Sequence, residues 1–382
     1  MIYDFDTTAT TPVLDQVMER YARLARQGAN NPSSAHGGGL EAARLVQEAR
    51  QSIARSLDCL PQEVYFTSGG TESINLALKG AAYAGSSLPK RALTSAGEHD
   101  AVDASLSFLE EYLDYQLVRV ALQADGRMDL AQLSQALEEE PAGLVSFLAV
   151  SNETGAINPL EQVVSLVREK APRALIHSDI VQACGKLPFS FRRTGLDMVS
   201  VAGHKIRAPK GTGLLIKAER VKLQPLFHGG RQESGLRSGT VDMPGAQALA
   251  LALSLHTENL QDHYRKTLAA RNFFLDCLAR HPLVFHTISS AESSPYVLSI
   301  AFPGLRGETL MNALSAEEIF ISTGSACGSR KAGDNRVLSA MGLEREIILS
   351  AVRISFHPDL DHDAIRHLAD RIAWLHGRYA VS

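Results

Sequence analysis

Short apolar runs alternate along this chain with longer segments whose apolar residues recur at helical spacing. The runs at 63–67, 91–95, 144–150, 174–179, 198–202 and 213–217 are compact and bounded by turn residues, so they read as strands. Between them, 40–57 spaces Val46, Ala49, Ile53 and Leu57 on one helical face, and 160–170 repeats that pattern. This alternation predicts an α/β fold, a mostly parallel central sheet with helices on both faces. In such sheets ligands gather at the carboxyl ends of the strands. Beyond residue 245 the order changes. A long helical segment (245–280) precedes strand patterns at 296–302, 318–324 and 351–356, with helices near 307–315 and at the end. The prediction is a large domain, 13–245, and a small α+β domain made of 1–12 plus 246–382.

The length of 382 residues fits that division, because single hydrophobic cores usually stop growing below it. Apolar residues at 45% and charged residues at 21% describe an ordinary globular chain with ample core. A net charge of −4 argues against a nucleic-acid surface or a polybasic membrane anchor, which leaves small molecules or proteins as partners. The longest apolar stretch, GAQALALALSL, is too short to span a bilayer. The opening MIYDFDTTATTP carries acids and lacks the features of a secretion signal. Four scattered cysteines without a CxxC pair fit a reducing compartment, so a cytoplasmic location is expected.

The strand ends carry the chemistry. YFTSGGTES (65–73) reads as strand, glycine turn and helix start, where free N–H groups and the helix dipole favour a phosphate. HSDIVQACGK (177–186) places Asp179 at a strand end with Gln182 just beyond, and GEHDAV (97–102) leaves His99 in a strand-to-helix loop. VAGHKIRAPKGTG (201–213) brings His204 and Lys205 to the end of an apolar run. Each feature alone has a bland reading as a cap or a turn. No His or Cys pair has zinc-ligand spacing, so no metal is expected, and the GxSxG elbow of serine hydrolases is absent. Together, a phosphate cradle, an acid, a histidine and a strand-end lysine are the parts a pyridoxal 5'-phosphate site requires. A lysine amine is nucleophilic only when neutral, and burial near other cations favours that form.

With these motifs in their observed order, joined by FDTTATTP (5–12), NPSSAH (31–36), SNETGAINP (151–159), GGRQESGLRSGT (229–240) and STGSACGS (322–329), the chain resembles the cysteine desulfurases of the NifS/IscS type. These belong to the class V aminotransferase group and have the fold-type I pyridoxal phosphate architecture. The resemblance implies that Lys205 is the lysine that joins the cofactor aldehyde. It implies that Asp179 and Gln182 meet the pyridine nitrogen and phenolic oxygen, that His99 stacks on the ring, and that Gly70, Thr71 and His204 hold the phosphate. Thr240 in RSGT would reach the phosphate of a neighbouring subunit, so a homodimer is implied. Asn152 would lie near cofactor and substrate, and Arg353 would grip the substrate carboxylate with a two-pronged guanidinium.

Cys327 sits in a glycine-rich polar stretch, 322–336, which reads as an exposed loop rather than as core. Cys59, Cys184 and Cys277 read as packing residues. The resemblance then implies a catalytic set of Lys205, Cys327 and His99 that converts L-cysteine to alanine and leaves sulfur as a persulfide on Cys327. A protein acceptor would receive it: an iron–sulfur scaffold, a tRNA-thiolation protein or another sulfur carrier. Selenocysteine lyase and transaminase are the alternatives on the same fold, and a transaminase would not need Cys327. Ala202 stands where many relatives carry a serine that contacts phosphate, and Arg231 where a glycine is common. Arg330, Lys331 and Arg336 make the loop more charged than usual, and the chain ends soon after its last helix pattern, without the longer tail by which some relatives hold a scaffold.

Overall fold

The central sheet has seven strands in the computed structural model, which describes residues 2–26, 30–85, 88–324 and 335–380. In chain order the strands are β1 (Tyr3–Asp4), β2 (Val64–Thr67), β3 (Arg91–Ser95), β4 (Gln116–Val120), β5 (Leu144–Leu148), β6 (Leu175–Asp179), β7 (Met198–Ala202), β8 (Gly213–Lys217), β9 (His286–Thr287), β10 (Val297–Ala301), β11 (Ile319–Phe320) and β12 (Ala351–Ser355). The large sheet runs β2-β8-β7-β6-β5-β3-β4. Every neighbouring pair from β7 to β4 is parallel, while β8 is antiparallel to both β2 and β7. The short connection between β7 and β8 explains the reversal, since a parallel partner would need a crossover. The six apolar runs all fall on strands of this sheet. β4 does not announce itself, because it is a sheet edge whose Gln116 and Arg119 face solvent.

Two large apolar cores divide the chain, with a small third cluster around Val337, Leu338 and Met341. The first surrounds the large sheet and includes Ile53, Leu93, Phe147 and Leu253. The second surrounds β10 and β12 and includes Phe5, Phe274, Phe302 and Leu368. The N-terminus joins the second, with the Phe5 amide donating to Phe320 O and the Phe5 carbonyl accepting from Ser355 N. The helical stretch over 245–280 reaches both cores. It breaks at Asn259 into Met243–Glu258 and Leu260–Leu278. Met243 and Leu253 are buried in the first core, while Phe274 and Leu278 belong to the second. Residues 318–324 form only a two-residue strand and one bridge, Ser322 to Arg353, because the chain turns away at Gly324.

A buried polar chain fixes the sheet to the helix Gly70–Tyr83. Ser146, His177, Ser200 and Ser73 follow one another at 2.8–2.9 Å, and Ser73 Oγ ends it by donating to Leu214 O at 2.7 Å. Burial pushes the His177 imidazole down to about 3, so the ring is neutral and serves as donor at one nitrogen and acceptor at the other. The helix start is thereby held over the ends of β7 and β8.

Candidate active site

A cavity of about 750 Å³ opens at the carboxyl ends of β5, β6 and β7, between the two cores. Gly70, Thr71, His99, Asn152, Asp179, Gln182, His204, Lys205 and Arg353 all line it. Thr240 does not; it is exposed beside a separate small cavity bordered by Ser68, Gly211 and Arg237. Cys327 lies outside the described residues, as do Arg330 and Lys331.

One end of the cavity suits an anion. The helix Gly70–Tyr83 starts from Gly69 at φ 155°, a conformation open to glycine alone, and no side chain caps its first turn. Its leading N–H groups are therefore available to a ligand at the positive end of the helix dipole. His204 stands nearby with Nδ1 3.1 Å from Thr10 Oγ1. Burial, with Lys205 and Lys210 adding to it, pushes His204 down to about 4, so the ring is neutral here and has one N–H to donate. Ala202 lines the same end and brings no hydroxyl.

The middle of the cavity is lined by Asp179, His99 and Lys205. Asp179 ends β6 and is buried, with Oδ1 accepting from Val181 N at 2.8 Å. Burial raises its pKa, opposed by the charges of His99 and Lys205 and by the Val181 N–H. A protonated heterocyclic nitrogen is the type of partner that would restore its anion. His99 caps the helix Asp100–Leu113, with Nδ1 accepting from Ala101 N at 3.1 Å and its ring lining the cavity. Lys205 follows β7 in a one-turn 3-10 segment, Gly203–Lys205, and its Nζ donates to Thr8 O and Ala9 O, each at 2.6 Å. The apolar strand thus delivers a primary amine to the cavity wall.

Arg353 sits on the opposite wall, on β12. It is buried, and it donates to Asn152 O at 3.0 Å and to Asp6 Oδ1 at 2.8 Å. Its Nε is buried with no hydrogen-bond partner. A guanidinium placed in this way has donors to spare for a small carboxylate.

Several residues of the site carry little signal of their own in the sequence. Glu98 is buried beside His99, with Oε1 accepting from Ser95 Oγ at 2.5 Å and Leu148 N at 3.0 Å. Its Oε2 has no partner, and burial pushes the carboxyl up to about 8, so it is held as a neutral acid at pH 7. The GEH motif contains the only signal, and a glutamate before a helix reads first as a solvated acid. Lys186, buried four residues after Gln182, donates to Gln182 Oε1 at 2.9 Å. Arg336 donates to Ala96 O at 3.2 Å and Glu98 O at 2.6 Å, and Asn335 to Glu153 Oε2 at 3.3 Å. Residues expected at a solvated loop end are thus tied to the cavity wall. Cys59, Cys184 and Cys277 are buried free thiols, and burial pushes the first two up to about 12, which removes them as nucleophiles. Among the described residues no group of His, Cys, Asp and Glu has the makings of a metal site.

Fold and cavity define an α/β enzyme of the pyridoxal phosphate kind, with a strand-end lysine and a buried strand-end carboxylate facing one cleft. Residues 2–368 match the aminotransferase class-V family model, and the chain belongs to that family. It is 33% identical to a cysteine desulfurase IscS of Methanosarcina thermophila, covering 92% of this chain and 86% of that one. A solved NifS-like protein superposes with a TM-score of 0.92 at 35% identity, over 99% of this chain and all of the other. A structure described as SspA in complex with cysteine superposes with a TM-score of 0.82 at 29% identity, covering 94% of this chain and 99% of its own. Enzymes of this family work with pyridoxal phosphate. Among the described residues no helix is long and apolar enough to cross a membrane.

Proposed function

We propose that this chain is a pyridoxal 5'-phosphate-dependent cysteine desulfurase, acting in the cytoplasm as a homodimer and passing sulfur to a protein acceptor. The observation that carries the reading is the convergence of Lys205, Asp179, the uncapped helix start at Gly70 and Arg353 on a single cavity. The residues fit the cofactor. Lys205 would anchor its aldehyde, Gly70, Thr71 and His204 its phosphate, Asp179 its ring nitrogen and Gln182 its phenolic oxygen, while His99 covers the ring face. When bound, the group supplies an electron sink for a carbanion at the substrate α-carbon.

The chain's own residues then divide the work. Arg353 binds the L-cysteine carboxylate, assisted by Asn152, and thereby turns the Cα–H toward the amine. Lys205 would hold the cofactor aldehyde at rest and, once its amine is free, would take the α-proton at Nζ. Asp179 would keep the ring nitrogen protonated, which is what lets the bound group act as an electron sink. The Cys327 thiolate attacks the substrate sulfur: an S–S bond forms, the Cβ–S bond breaks, and its electron pair returns to the three-carbon skeleton. That skeleton takes up protons and leaves as alanine, with the persulfide held on Cys327 until an acceptor thiol removes the outer sulfur.

The test is incubation of purified protein with L-cysteine and a reductant, measuring alanine and sulfide. Cys327→Ala should keep the visible absorption of bound cofactor and release almost no sulfide. Lys205→Ala should lose the covalent attachment and both products. Equal sulfide from Cys327→Ala and the parent would turn the reading toward another class V reaction, such as a transaminase or selenocysteine lyase.

A further inference from the structure

Lys186 is a buried lysine that the mechanism above does not use. It lies on the turn after β6, and its ammonium has two neighbours in addition to the protein interior: Gln182 Oε1 at 2.9 Å and the Tyr296 ring, whose centroid is 5.6 Å from Nζ. Burial first, and then the charge of Lys205, push it down to about 7. A methionine would fill such a place without the desolvation penalty, so the amine has a use there that packing does not explain.

The use follows from an asymmetry of hydrogen-bonding groups. A side-chain amide presents an acceptor at one corner and two donors at the other, and rotation by half a turn exchanges them. Lysine donates whether charged or neutral and, when charged, cannot accept. Here Lys186 Nζ donates to Gln182 Oε1, which leaves the amide nitrogen facing the opposite way. There Nε2 donates to Thr8 O across a longer 3.2 Å contact, on the wall of the cavity that Gln182 lines. Thr8 O already accepts from Lys205 Nζ, so its hold on the amide is shared.

We propose that Lys186 is a positioning residue: it locks the Gln182 amide with its N–H donors toward the cleft, where a phenolate oxygen of bound cofactor requires a donor and would be repelled by the carbonyl. The inference rests on the pyridoxal phosphate reading and adds the orientation of one side chain to it. Lys186 touches neither cofactor nor substrate and acts through Gln182.

The test uses the apoenzyme reconstituted with pyridoxal 5'-phosphate, following its dissociation constant and the pH titration of the visible chromophore. Lys186→Met and Gln182→Ala should each weaken binding by about 3- to 10-fold, the range of one hydrogen bond, and move the titration midpoint in the same direction. The double variant should be no worse than Gln182→Ala alone, because the lock has nothing left to hold. Gln182→Glu keeps Lys186 intact, removes the donor and sets a carboxylate in its place. It should lose at least as much affinity as Gln182→Ala, so the test does not depend on Lys186→Met folding. Losses that multiply in the double variant would show that Lys186 acts by its charge on Lys205 and overturn the proposal. So would wild-type affinity in Lys186→Met or Gln182→Glu. A wild-type protein that develops no visible band with the cofactor would instead overturn the underlying reading.

Discussion

Glu98 and Asp179 are two carboxyl groups in one cavity wall, and burial raises the pKa of both. Asp179 ends a strand and receives a backbone N–H, with cationic neighbours that favour its anion. Glu98 is buried with one oxygen unpartnered and titrates near 8. An unfolded chain ionises this glutamate near 4.5, so between that value and about 8 the folded state binds more protons than the unfolded state. Stability from Glu98 is full below 4.5 and is lost as pH rises toward 8, with a limiting slope of ~1.4 kcal/mol per pH unit. Glu98→Gln, which mimics the neutral acid, should remove that slope, and urea midpoints between pH 5 and 8 should decline less than in the parent. Identical pH profiles would mean that Glu98 ionises freely. Lys205 and Asp179 were legible from sequence because each closes an apolar run, which fixes the side chain at a strand end. Glu98 was not, since the Ser95 hydroxyl and Leu148 amide that bury it come from separate strands. Arg353 carries a second prediction at this scale. Arg353→Lys keeps the charge but loses the fork, and should raise KM for L-cysteine at least ~10-fold with a smaller change in kcat, as measured by steady-state alanine formation.

At the scale of elements, the turn Gly203–Lys205 sets where the amine arrives. Gly203 donates to Thr212 O at 2.9 Å, and a Cβ there would meet the Thr212 hydroxyl, Leu249 Cδ1 at 3.0 Å and Thr212 O at 3.1 Å. Gly203→Ala should therefore cost ~1–3 kcal/mol in urea unfolding and lower the fraction of cofactor retained after gel filtration, because β7 and β8 must part to admit the methyl. An alanine variant with parental stability would show that this approach is loose. The parallel strands were legible because burial on both faces makes them continuous apolar runs. β4 was hidden by its exposed edge, and the break at Asn259 by the lack of any glycine or proline beside it. The strand expected over 318–324 had the right composition, but Gly324 (φ 96°) packs against Glu153 and Asn335, where extended pairing cannot continue.

For the whole molecule, the cavity lies where the two cores meet, with Arg353 on β12 donating to Asn152 O beyond β5. The existence of two cores shows in the sequence as a change in element order. The core to which each helix belongs does not, since α-helical spacing in 245–258 does not say which one it faces. Thr240 lies outside its own chain's cavity, which suits the reading that it serves a partner's. That reading predicts an outcome for mixed dimers. One subunit with Thr240→Ala paired with one with Lys205→Ala should regain a single parental site, seen as half of wild-type sulfide release. Placing both changes in one chain and pairing it with wild type should leave no fully intact site, and half of wild-type sulfide release in that pairing would show that Thr240 acts within its own chain.

The central claim is that one amine, Lys205 Nζ, holds the cofactor. Borohydride reduction of the pyridoxal phosphate-loaded protein, followed by proteolysis and mass spectrometry, tests it directly. The account predicts one pyridoxyl-phosphate adduct per chain, on the peptide containing Lys205. An adduct on Lys186, the buried lysine behind Gln182, or no site-specific adduct at all, would contradict it.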